Sequence, residues 1–141
     1  MSALTYWLIA VTLPFTGSLA CGDKTPAELG AERGAVVHAT LESYLEHEDA
    51  MLSLLERHRE EPETAVRLIS DYTTLHAEAL DALCAKRRLL ETEPDALAAA
   101  MSSLQERSTA VFAKRKRLYD SAPALMERAE IKRALATLDA L

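Results

Sequence analysis

Glycine (four), cysteine (two) and aromatic side chains (5%) are all scarce in these 141 residues, and each scarcity removes a class of structure. Sheets need alternating β-branched and aromatic residues with glycine at the turns, and no such run occurs. Two cysteines are too few for a disulfide framework. The residues three places before His38, His47, His58 and His76 are Ala35, Tyr44, Leu55 and Thr73, so the Glu-x-x-His pairs of a di-iron bundle are missing. Cys84 has no second cysteine and histidine at the spacing that attaches haem covalently. A net charge of -6 disfavours nucleic acid as a partner. Basic residues are absent until Lys24.

The stretch without charge is the most informative segment. Leu4 to Phe15 is an apolar run of signal-peptide length, and the small residues Ser18 and Ala20 stand where a signal peptidase inspects the chain before Cys21. On these residues the segment resembles the leaders of bacterial lipoproteins. The resemblance implies removal of residues 1–20, a lipid on Cys21, and a domain of residues 21–141 tethered to a membrane of the cell envelope and facing the periplasm. Gly22 in second place resembles lipoproteins sent to the outer membrane, which favours that membrane over the inner one. Two alternatives stay open: secretion after the same cut, and an uncleaved anchor, since Ala3 to Ala20 is about the minimum for a membrane span. With Cys21 lipidated, Cys84 is a lone, small apolar residue; without lipid the two could form a bridge.

The remainder is punctuated as helices. Thr25-Pro26-Ala27-Glu28 has the form of a capping box with proline in the first turn, and Pro62 and Pro94 repeat the start signal. Apolar residues recur every three or four positions: Val37, Leu41, Tyr44, Leu45, Met51, Leu52 and Leu55; then Val66, Ile69, Tyr72, Leu80, Leu83 and Leu90; then Leu97, Met101, Leu104, Val111, Phe112 and Leu118. This spacing predicts helices over about 26–60, 62–90, 94–119 and, more weakly, 122–140. Short links force antiparallel neighbours, so the expected fold is all-α, an elongated antiparallel bundle of three to four helices after the leader.

Three polar groupings stand out. Glu48, His76 and Ser108 fall on the inner stripes, and reflection through the two links brings them to one level, which predicts a buried polar layer. An acid, an imidazole and a hydroxyl in a row suggest a nucleophilic triad, but no glycine-flanked turn exposes Ser108, so the layer reads as structural and no catalytic residue is assigned. Protonation of Glu48 in acid is expected to loosen the bundle. The basic cluster Lys114, Arg115, Lys116 and Arg117 reads either as a site for anionic headgroups or as a match to Glu46, Glu48, Asp49 and Glu56 of the first helix. Residues 23–63 hold eleven acids and four bases, whereas residues 101–141 hold five acids and eight bases, which supports the internal match. The third grouping is the flank Tyr44, His47, Met51, Leu54 and His58, suited to receive the fourth helix or another chain.

No metal or cofactor is assigned. The expected function is a non-catalytic, membrane-tethered helical module that binds another envelope protein. The alternative is a periplasmic metal- or ligand-binding bundle using His47, His58, Met51 and the acidic face of the first helix.

Overall fold

The computed structural model describes residues 24–139. The leader, the cleavage site, Cys21 and Gly22 lie outside the described residues. Among the described residues there are seven helices and no strand: α1 (Pro26–Arg57), α2 (Pro62–Leu75), α3 (Ala77–Thr92), α4 (Pro94–Ser103), α5 (Gln105–Ser121), α6 (Pro123–Met126) and α7 (Ala129–Ala136). The chain is an all-α helical bundle. No helix among these residues is long and apolar enough to cross a membrane.

Local chemistry explains the starts. α1, α2, α4 and α6 each open on a proline, whose missing N–H is one the first turn leaves unpaired anyway. At α1 the Thr25 hydroxyl accepts the Glu28 N–H at 3.2 Å, and the Glu28 carboxylate accepts the Thr25 N–H at 2.7 Å, which completes the capping box.

The expected second and third helices are each bent once. His76 (φ -103°, ψ 15°) separates α2 from α3, and Leu104 (φ -101°, ψ 12°) separates α4 from α5. Hydrogen bonds still run over both bends: His76 N–H to Tyr72 O at 3.0 Å and Leu80 N–H to His76 O at 2.9 Å, with Leu104 and Ser108 repeating the pattern. Before the first bend the hydroxyls of Thr73 and Thr74 both donate to Ser70 O at 2.9 Å, a competition with the backbone that bends helices. A serine pair, Ser102 and Ser103, precedes the second. The expected last helix divides into α6 and α7 because Arg128 is extended (φ -61°, ψ 134°).

α1 is the axis, packed by α2 and α3 on one side and by α4 and α5 on the other. Cross-links between α1 and α4–α5 keep a constant sequence offset of 65 residues at His38–Ser103, Glu42–Arg107 and Asp49–Lys114. A constant offset means parallel helices, as the two short links require. It also means that the bend at Leu104 leaves the register intact.

α6 packs on α5 and α7 on α2, adding a fourth rod over part of the length. It begins at the base, where Arg128 grips Glu63 with two nitrogens at 2.9 and 3.4 Å. It finishes midway, where Thr137 O lies 3.9 Å from Cys84 Sγ and Asp139 reaches Arg115 at 2.8 Å. Below that level four rods enclose a core that includes Met51, Leu52, Leu55, Met126 and Ile131, all fully buried. Above it, among the described residues, there are three.

At the far end α1 outruns its neighbours. Arg33 meets Glu93 at 3.3 Å, beside the α3–α4 link, and residues 24–33 are all exposed. Pro26 to Glu32 therefore projects about 10 Å beyond the bundle, at about 1.5 Å per residue.

Candidate functional site

The level at which the fourth rod ends carries the densest chemistry. From α1, Glu48 points inward with its side chain only 9% exposed; from α5, Arg115 places Nε 3.0 Å from Glu48 Oε1; after α7, Asp139 accepts from Arg115 Nη1 at 2.8 Å. The guanidinium therefore sits between two carboxylates. The Nε contact is close but misdirected: Glu48 Oε1, Arg115 Nε and Arg115 Nη2 are all buried without a completed hydrogen bond. Burial pushes the Glu48 carboxyl above its ordinary range; Arg115 opposes that, while Asp139 and Asp49 add to it.

Beside this cluster lies a cavity of about 60 Å³. Ser108, Tyr44 and Leu138 line it, together with Met101 and Phe112, which are 43% and 53% exposed. The Tyr44 hydroxyl is committed elsewhere, donating to Leu83 O of α3 at 2.9 Å.

The expected polar layer is thus only partly assembled. Glu48 and Ser108 line one cavity, but His76 is elsewhere, and the partner of Glu48 is Arg115. His76 stacks on Tyr72 (ring centroids 4.3 Å apart) and meets His47 edge-on (5.3 Å) on the opposite flank of α1. His47 Nδ1 and the Tyr72 hydroxyl share a hydrogen bond of 2.7 Å. Burial, then repulsion from His76, pushes the His47 pKa below its ordinary value, with Glu46 opposing. His76 stands at the expected height but beside His47, on the other face of α1 from Glu48.

The flank of α1 expected to receive a fourth helix or another chain is covered by α2 and α3. Tyr44 and Met51 are buried in the core, Leu54 packs against it, and His47 lies under Tyr72. His58, which ends α1, is partly buried, with Glu61 as its nearest acid at 3.9 Å. Met51 is sealed from solvent, so it does not join His47 and His58 on a common surface. Among the described residues no group of three or more His, Cys, Asp or Glu is arranged to hold a metal.

Each member of the basic cluster meets an acid: Lys114 meets Asp49 at 2.5 Å, Arg115 meets Glu48 and Asp139, Lys116 meets Asp120 at 2.6 Å, and Arg117 meets Glu56 at 3.7 Å. Arg107 adds Glu42 and Glu46 at 3.1 and 3.3 Å. The acid-rich first helix and the base-rich third segment are therefore matched side by side. Asp139 and Tyr72 are the participants that sequence reasoning missed. Tyr72 was visible only as one of several apolar stripe residues, and Asp139 lies in the segment of weakest periodicity.

Compared with family models, curated proteins and solved structures, the chain finds no match.

Proposed function

We propose that the chain is a lipid-anchored module of the bacterial cell envelope that works by binding another protein rather than by catalysis. Supporting the anchor are the leader of residues 1–20 and the approach to α1: Cys21 stands only four residues before the cap at Thr25, and the first turns of α1 run free of the bundle. A domain so attached is held close to the surface of a membrane, the outer one on the ground of Gly22.

The observation that carries the binding reading is the row Met101, Phe112 and Tyr119, each 40% exposed or more. Steps of eleven and seven residues are nearly whole helical turns, so the three share one face of α4–α5. Exposed methionine and aromatic side chains on one stripe are the residue types enriched where proteins meet. Against catalysis stands the separation of Glu48 and His76 onto opposite flanks of α1, which leaves Ser108 without an acid-oriented base.

Two measurements test this. Intact-mass analysis of the membrane fraction is expected to show residues 1–20 removed and acyl chains on Cys21. A photo-crosslinking residue at Phe112 is expected to trap a defined envelope protein, and the product should vanish when the same residue is placed at Arg87 on α3. Full-length chain in the cytosol would overturn the anchor, and equal crosslinking from both positions would overturn the binding face.

A further inference from the structure

α4–α5 carries two seams with the same seven-residue period. Leu97, Leu104, Val111 and Leu118 turn toward the protein's own core, the last three buried and Leu97 packed against it. One place further along, Ala98, Gln105, Phe112 and Tyr119 are all exposed, with Met101 exposed and Ser108 half-buried between them. In a heptad these are a positions at 98, 105, 112 and 119 and d positions at 101 and 108, the pattern by which one helix lies along another. Hydrogen bonds run over the bend at Leu104, so the outer seam continues from α4 into α5. The inner seam is filled by this chain; the outer one is open.

The chemistry of the outer seam points to a second copy as its cover. In a parallel two-fold pair each a residue meets its own equivalent, so a charge there would face its like. The six seam residues carry none. The nearest exposed charge, Lys116, has its own counter-charge in Asp120 at 2.6 Å. Gln105 is the one long polar side chain of the seam, and its amide both donates and accepts, so it pairs with a second amide as it stands. A single polar a residue also fixes register and the number of helices. Direction agrees as well. Two copies tethered to one membrane by the same end of α1 stand the same way up, and α4–α5 runs parallel to α1, so their seams meet parallel.

The size of the seam sets its strength. From Ala98 to Tyr119 it is about 30 Å long, and a strip one helix diameter wide, about 10 Å, is well short of the roughly 800 Å² per partner of a stable complex. Contact of that size is weak between free molecules. A shared membrane changes this, because tethering raises the effective concentration toward about millimolar.

We infer that two tethered copies pair side by side along the outer seam of α4–α5, with Gln105 and Phe112 each against its equivalent. The inference rests on the tether and the binding face proposed above, and it names the partner of that face.

The test uses the lipidated full chain in bacterial membranes, with the exposed Cys84 replaced by alanine. Ala98→Cys, which removes no anchor of the seam, is expected to give a disulfide-linked product of twice the chain's mass under an added oxidant, at least tenfold faster than Arg87→Cys on α3. Extraction into detergent and dilution before oxidation should abolish it. Gln105→Glu and Gln105→Lys, changes at an exposed position that leave circular dichroism unaltered, should each suppress the product at least tenfold. Co-expressing the two chains should restore it, since opposite charges then meet across the pair. Equal yields from Ala98→Cys and Arg87→Cys, or no restoration on co-expression, would overturn the pairing, and a product that survives dilution would overturn its dependence on the tether. If Ala98→Cys gives no dimer while the Phe112 crosslinker traps a different protein, the pairing falls and the binding face stands. If neither position gives a product, both fall.

Discussion

His47 and Glu48 are neighbours on α1 and live in opposite worlds. Glu48 faces α5 and the end of α7, where charge meets charge beside a small cavity; His47 faces α2 and α3, where two imidazoles and a phenol pack ring to ring. One step of 100° along a helix separates a site organised by electrostatics from one organised by shape and a single short hydrogen bond. Polarity in a bundle core is thus not one phenomenon. The charged side depends on every member being present, because removing a partner strands a buried charge, whereas the ring side depends mainly on packing.

The sharpest way to break the comparison is Arg115→Met. It leaves Glu48 buried without its counter-charge and is expected to cost about 3–5 kcal/mol in urea unfolding. Adding Glu48→Leu to the same chain should recover most of the loss, since replacing both partners with apolar groups is often neutral. A double variant no more stable than the single one would show that the cost lies in packing.

Titration should pull the two sides in opposite directions. The folded state raises the Glu48 value above 4.5, so that the fold binds this proton more readily than the unfolded chain. The stability Glu48 contributes is therefore full below pH 4.5 and is lost as pH rises through the raised value. That sign reverses the sequence expectation that protonating Glu48 loosens the bundle. His47 behaves conversely: its folded value lies below 6.5, so its contribution is present above pH 6.5 and is lost as pH falls through the lowered value. Melting curves across pH check both, with Glu48→Gln expected to flatten the first dependence and His47→Gln the second. Two variants with the wild-type profile would remove the distinction.

Smaller effects sharpen the picture. Tyr72→Phe deletes the bond to His47 and should cost about 1 kcal/mol, because the stacked rings keep their packing. Arg107→Ala removes contacts to Glu42 and Glu46 that lie at the surface, and less than about 1 kcal/mol is expected. A loss at Arg107 equal to that at Arg115 would mean that burial does not set the value of these pairs.

Much of the architecture was legible because proline and threonine mark helix starts in a local code. Pro26, Pro62 and Pro94 each open a helix as expected, and Pro123 opens a fourth. The bends at His76 and Leu104 were not legible, since hydroxyls bonding back to Ser70 O leave the apolar spacing undisturbed. The site was half readable. Counting residues from a link gives height, and Glu48, His76 and Ser108 do share one level of the bundle. The face is another matter, because a bend at His76 itself redirects the ring and the wheel assumes a straight helix. Arg115 reads in the sequence as one of four consecutive basic residues. Its partner Asp139 comes from a short helix that folds only against the others, a tertiary dependence that no local pattern encodes.

The free first turns of α1 have a mechanical corollary. A load applied at that end enters α1, which packs against α2, α3, α4 and α5, and it runs along the axis. Contacts to α4–α5, held at one repeated offset from His38 to Lys114, would then be strained together in shear instead of peeling one after another. A bundle pulled in this way resists as a block, and the rate of its rupture, rather than its equilibrium stability, would govern how long it holds.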